Sequence, residues 1–143
     1  MSSLREQILA RFQQLLQNAT PAGANVFRAR EISITRAMAP TITVLYGGAA
    51  DTQRMGQGVD RHTSLISCAI FVRGDPWDSL ADAIDEPMHK LLMNDATLRN
   101  MGVELRRLQD QVEAEEADRT AGTLTVPYHA IYLAKATDIS AAP

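Results

Sequence analysis

The stretch Asp75–Met93, DPWDSLADAIDEPMHKLLM, carries the clearest helical pattern in the chain and divides it into two β-rich halves. Asp75 is placed to cap a helix N-terminus, Pro76 suits the first helical position, and Asp78 adds negative charge to the first turn. Trp77, Leu80, Ala81, Ile84, Met88 and Leu91 then recur at helical spacing as one apolar stripe. Asp78, Asp82, Asp85 and Lys90 fall largely on the other side, where the paired acids Asp82 and Asp85 read as solvated. Pro87 has no N–H for the carbonyl of Ala83, which predicts a kink or a break into two short helices. A helix that is apolar on one face needs a partner, and the flanking strands supply it.

Towards the N-terminus, Ser3-Leu4-Arg5-Glu6 has the spacing of a capping box. Leu4, Ile8, Phe12, Leu15 and Leu16 follow as a helical stripe that should stop near Asn18, before Pro21 and Gly23. The N-terminal MSSLREQILARF is polar and amphipathic, unlike the apolar run of a signal peptide. A first strand is predicted over Asn25–Arg30, and a second over Thr41–Tyr46, where Ile42, Val44 and Tyr46 alternate with Thr41, Thr43 and Leu45. Gly47–Asp60, with four glycines and almost no apolar content, reads as a long mobile loop. Arg61–Arg73 is a long strand that is mostly apolar on both faces, which places it centrally, covered by helices or by another subunit.

On the C-terminal side, Asn94–Gly102 reads as a polar connection and Val103–Val112 as one strand. The acidic Glu113–Gly122 reads as a solvated hairpin end, and Thr123–Leu133 as the last strand, with Pro127 marking an edge or a bulge. The order predicts an α+β fold: a mostly antiparallel sheet of about four to five strands with two main helices packed on one face. Residues 1–134 would form this single domain and 135–143 a flexible C-terminal tail.

Charge and composition narrow the functions. The chain has 143 residues, 45% of them hydrophobic, and a net charge of −3, which gives no electrostatic case for nucleic acid or an anionic membrane. No run of about 18 apolar residues is present, so no membrane span is predicted. The signs are unevenly spread. Residues 1–60 hold six Arg against four acids, and residues 61–143 hold eight Arg or Lys against thirteen acids. The single Cys68 excludes an internal disulfide.

Candidate sites are few. His62, His89 and His129 lie on three different elements without a second ligand at metal spacing, so neither metal nor other cofactor is expected. The glycines of Gly47–Gly58 match neither a phosphate-binding loop nor a dinucleotide fingerprint. A catalytic pair of Cys68 with His62 or His129 is the alternative, a small oligomeric enzyme or ligand-binding domain. The main reading is a non-enzymatic protein. Arg28, Arg30, Arg54 and Arg61 on one side, and Glu113, Glu115, Glu116 and Asp118 on the other, are candidate subunit-interface residues for a head-to-tail contact.

The whole layout resembles the tail-terminator (minor tail protein) family of long-tailed bacteriophages. The resemblance rests on the N-terminal amphipathic helix, Val26-Phe27-Arg28-Ala29-Arg30, Pro40-Thr41-Ile42-Thr43-Val44 and the Ser64–Val72 strand after a polar loop. It continues through Trp77-Asp78-Ser79-Leu80, Leu91-Leu92-Met93-Asn94-Asp95 and Pro127-Tyr128-His129-Ala130-Ile131-Tyr132. It implies a subunit that closes into a hexameric ring, stops tail-tube polymerisation and presents a head-joining surface. The implied partners are further copies of the chain, a tail tube protein and a head–tail connector protein. The implied location is the virion tail, with assembly in the bacterial cytoplasm. Another head–tail joining adaptor is the neighbouring possibility. Pro87 and the acidic Glu113–Asp118 segment match nothing in the family pattern.

Overall fold

The computed structural model describes residues 2–28, 39–114 and 120–143. The elements run α1 (Leu4–Leu16), β1 (Val26–Arg28), β2 (Thr41–Gly56), β3 (Val59–Arg73), α2 (Trp77–Met93), α3 (Ala96–Asn100), β4 (Glu104–Arg107), β5 (Gln111–Ala114) and β6 (Ala121–Lys135). They form an α+β fold in which the helices pack on a six-stranded sheet. The strand order is β1-β2-β3-β6-β4, and β5 also pairs with β6. Only β1 and β2 run parallel. The count is one or two strands above the sequence reading, because the predicted Val103–Val112 strand is two.

Pro127 accounts for that split. The Leu108 N–H donates to the Pro127 carbonyl at 2.9 Å, so the ladder groups of Pro127 point towards the β4–β5 edge. Pro127 has no N–H to give in return, and the outer strand breaks between Arg107 and Gln111, opposite it.

The capping box of α1 forms in part: the Glu6 N–H donates to Ser3 Oγ at 3.1 Å. Ile8, Phe12 and Leu16 are buried from this helix, and Ala81, Ile84, Met88 and Leu92 from α2. They meet Ile42, Val44, Ile66, Cys68, Ile70, Val72, Val126, Tyr128 and Ala130, which share one face of the sheet. Phe12 packs edge-on against Tyr128, ring centroids 6.3 Å apart. Helix α2 differs from the sequence reading at two points. It begins at Trp77, with Pro76 at the N-cap position and no side-chain cap from Asp75. It also runs unbroken through Pro87, because the helix keeps its burial against the sheet on either side of that one missing bond. The Trp77 ring lies against the backbone of Gly122: a Cβ there would sit 2.5 Å from the indole.

The predicted loop Gly47–Asp60 is the outer half of a long β-hairpin instead. Strand pairing continues to Gly56↔Val59, with register irregularities at Tyr46/Ala49, Ala49/Asp51 and Arg54/Gly56. The turn is Gln57–Gly58, with φ of 53° and 75°, the two positive values that a two-residue hairpin turn of the primed type requires. Pairing of β3 with β6 runs from Val59↔Lys135 to Arg73↔Ala121, so the outer end of β3 is held by backbone bonds to β6 as well as to β2. Sequence patterning misses the outer half of the hairpin, because Asp51–Gly58 has no apolar alternation.

The predicted C-terminal tail also acquires a place. The Ala136 N–H donates to the Gly58 carbonyl at 2.7 Å, and the Leu4 N–H to the Ile139 carbonyl at 2.8 Å. The chain's last residues are thereby tied to both the hairpin turn and the start of α1. No helix is long and apolar enough to cross a membrane among the described residues.

Candidate functional site

The described interface candidates spread across the sheet, from Arg28 at the β1 edge to Glu113 at the β5 edge. Arg28 ends β1 at one edge and holds Glu6 in a two-pronged pair, 3.1 Å at each nitrogen. Arg54, on the outer half of β2, holds Asp60 across the hairpin at 2.6 Å. Arg61 on β3 lies between Gln53 and Leu133, half-buried, with no ion pair among the described residues. Glu113 is exposed on β5, at the other edge, opposite Thr123. Arg30, Glu115, Glu116 and Asp118 lie outside the described residues. Strands β2, β3 and β6 separate Arg28 from Glu113. Within one chain Arg28 and Glu113 therefore do not meet.

The sheet face turned away from the helices carries the buried Thr41, Thr43, Ala69 and Ile131, the half-buried Leu45, Leu65, Ser67, Phe71, Pro127 and His129, and the exposed Leu133. Beyond it the outer hairpin adds a polar surface: every residue from Asp51 to Gly58 is exposed, Met55 included.

One polar cluster lies in the core and corrects the sequence reading of Asp85. That carboxylate is buried, and Arg107 of β4 donates to both its oxygens at 2.8 and 2.7 Å. The hydrogen bond it donates to Asp85 raises the Arg107 pKa above its ordinary value. Next to it, Tyr128 OH lies 3.1 Å from His89 Nδ1, with the two rings stacked at 6.0 Å. Burial pushes the Tyr128 hydroxyl well up, so it stays protonated. The pair fastens α2 to the edge strand β4. Its only sequence signal was an acid one turn from Ala81 on the apolar stripe, with an arginine in a strand beyond; a helical wheel does not distinguish that from a solvated acid.

The cysteine pairs do not form. Cys68 is fully buried facing the helices, and burial pushes its thiol up to about 12. His129 lies on the opposite face of β6, since Val126 is the residue in register with Cys68. His62 is on the same strand as Cys68, six residues away, roughly 20 Å at the rise of an extended chain. No group of three or more His, Cys, Asp and Glu side chains gathers as a metal site among the described residues. An apolar recess near α2, about 160 Å³, is lined by Pro21, Pro40, Val72, Arg73, Leu80 and Ile84, with no acid, histidine or thiol among them. No protein-family model matches this chain, and no curated protein matches it either.

Proposed function

We propose that this chain is a structural protein of a phage tail or phage-derived tail, a terminator that closes into a ring, stops tube growth and offers the surface that joins the head. The observation that carries the reading is the division of charge across one sheet: Arg28 at the β1 edge and Glu113 at the β5 edge. A surface of that kind is complementary to a second copy placed side by side with it. Repeated contacts between two different surfaces close into a ring where the rotation allows.

Two further features support it. The sheet face away from the helices leaves Leu133 exposed and Leu45, Leu65 and Phe71 half-buried, which gives a partner some apolar surface to bury. The exposed end of the β2–β3 hairpin supplies an arm that reaches beyond the helices' packing. The arginines' internal partners, Glu6 and Asp60, reduce what they give a neighbour, so charge would set register and apolar contact would set strength. The tail tube protein and the connector are the partners on this reading. Electron microscopy of the protein mixed with its cognate tube protein tests it. Rings seated on tube ends, with tube length held constant, are the expected result. Tubes that grow on unchanged in its presence would overturn the proposal.

A further inference from the structure

At the base of the arm, six side chains from four elements converge on a cavity of about 90 Å³, and nothing in the tail reading makes use of it. We propose that the cavity lined by Ser3, Arg5, Tyr46, His62, Ser64 and Tyr132 binds a small oxyanion, a phosphate or a carboxylate.

Its donors are in excess. Ser64 and Tyr132 are 2% and 7% exposed, and their hydroxyls face each other at 3.5 Å, the outer limit of a hydrogen bond. That single contact can use only one of the two O–H protons. The other is left to face the cavity that both residues line. One cation and one imidazole stand beside them. Arg5 lies over the Tyr46 ring, 4.5 Å from its centroid, and also reaches the Tyr46 hydroxyl at 3.4 Å, which fixes the guanidinium at the rim. His62 stacks on Tyr132 with centroids 5.4 Å apart. Its Nδ1 faces Thr52 Oγ1 at 3.4 Å. With the Thr52 hydroxyl donating, His62 Nε2 carries the ring proton and adds a donor. The cavity also sits at the N-terminus of α1, the positive end of the helix dipole.

Acceptors are lacking: Ala49 and Ile139 complete the lining, and no Asp or Glu belongs to it. Size selects the ligand. Liquid water takes about 30 Å³ per molecule, so the space suits a phosphate or carboxylate group. Drug-sized ligands need roughly 300–1,000 Å³.

The test is a titration of the full chain with sodium phosphate and, separately, sodium acetate, at constant ionic strength against chloride. Two-dimensional NMR would follow the backbone and the Arg5 side chain. Saturable shifts are expected around Ser3–Glu6, Tyr46, His62–Ser64 and Tyr132. Arg5→Gln removes a cation at an exposed position, and Tyr132→Phe removes one hydroxyl and keeps the ring. Each should weaken binding about tenfold, the loss of one charge-assisted hydrogen bond. Tighter saturation by phosphate assigns the site to phosphoryl groups, and tighter saturation by acetate assigns it to carboxylates. No saturation by either anion, or binding that Arg5→Gln leaves unchanged, overturns the proposal. Neither result bears on ring formation.

Discussion

From Thr41 to Val44 β2 is buried at every residue, whereas from Asp51 to Gly56 the same strand is exposed at every residue. Its partner β3 changes less sharply, from the buried Ile66, Cys68 and Ile70 under the helices to the half-buried Val59, Asp60 and Arg61 in the arm. One pair of strands thus joins two regions held by different forces. The inner half is fixed by burial against α1 and α2. The outer half is fixed by backbone pairing, a two-residue turn and the Arg54–Asp60 pair. Stability should therefore concentrate in the inner half, leaving the arm's surface available for contact.

The largest expected effect is at the buried ion pair. Arg107→Met leaves the Asp85 carboxylate without its partner in a buried site and should cost about 3 kcal/mol in denaturant unfolding. An unchanged midpoint would show that the inner half does not depend on this pair. Gly122→Ala comes next. Its Cβ would meet the Trp77 ring at 2.5 Å, and relieving that overlap should cost about 1–3 kcal/mol. Gly58→Ala probes the arm. At φ 75° an added Cβ is strained by about 1 kcal/mol, in open space. A larger loss at Gly58 than at Gly122 would reverse the proposed ranking of the two regions.

A smaller effect appears in acid. The hydrogen bond from Arg11 holds Asp95 below the usual carboxylate range, against the opposing pull of burial. A depressed folded-state pKa contributes stability that is present above the unfolded-state value near 4 and is lost as pH falls through the folded value. Arg11→Gln should flatten that part of the stability–pH curve and leave the neutral-to-basic part with the same slope. Unfolding midpoints measured across the acid range check it, and an unaltered acid limb would remove Asp95 from the account.

The inner half was legible in the sequence because its residues obey a period. The stripes of α1 and α2, the alternation in Thr41–Tyr46 and the two apolar faces of β3 were all readable, and they were enough to assign an α+β fold. Trp77 was likewise marked as the opening of an apolar stripe. The arm was not readable, because Gly47–Asp60 has no apolar alternation and its strand character comes from pairing with β3, itself held by β6. Asp85 was misread because burial of an acid depends on Arg107, 22 positions later, which no local pattern encodes. The anion cavity joins the start of α1 to β2, β3 and β6, and its hydroxyls and stacked rings carry no spacing rule.

In the proposed ring the two edges of the sheet meet in neighbouring copies. Light scattering of the full chain from dilute to concentrated solution, for the natural protein and for Glu113→Lys, tests it most directly. A ring gives a mass that rises from one 15.7 kDa chain to a closed assembly and then stops, at six copies if the resemblance holds. Glu113→Lys should also assemble more weakly at low salt, with the monomer's unfolding midpoint shifted by less than about 0.5 kcal/mol. A mass that remains 15.7 kDa at every concentration, or that ends at a symmetric dimer, would contradict it.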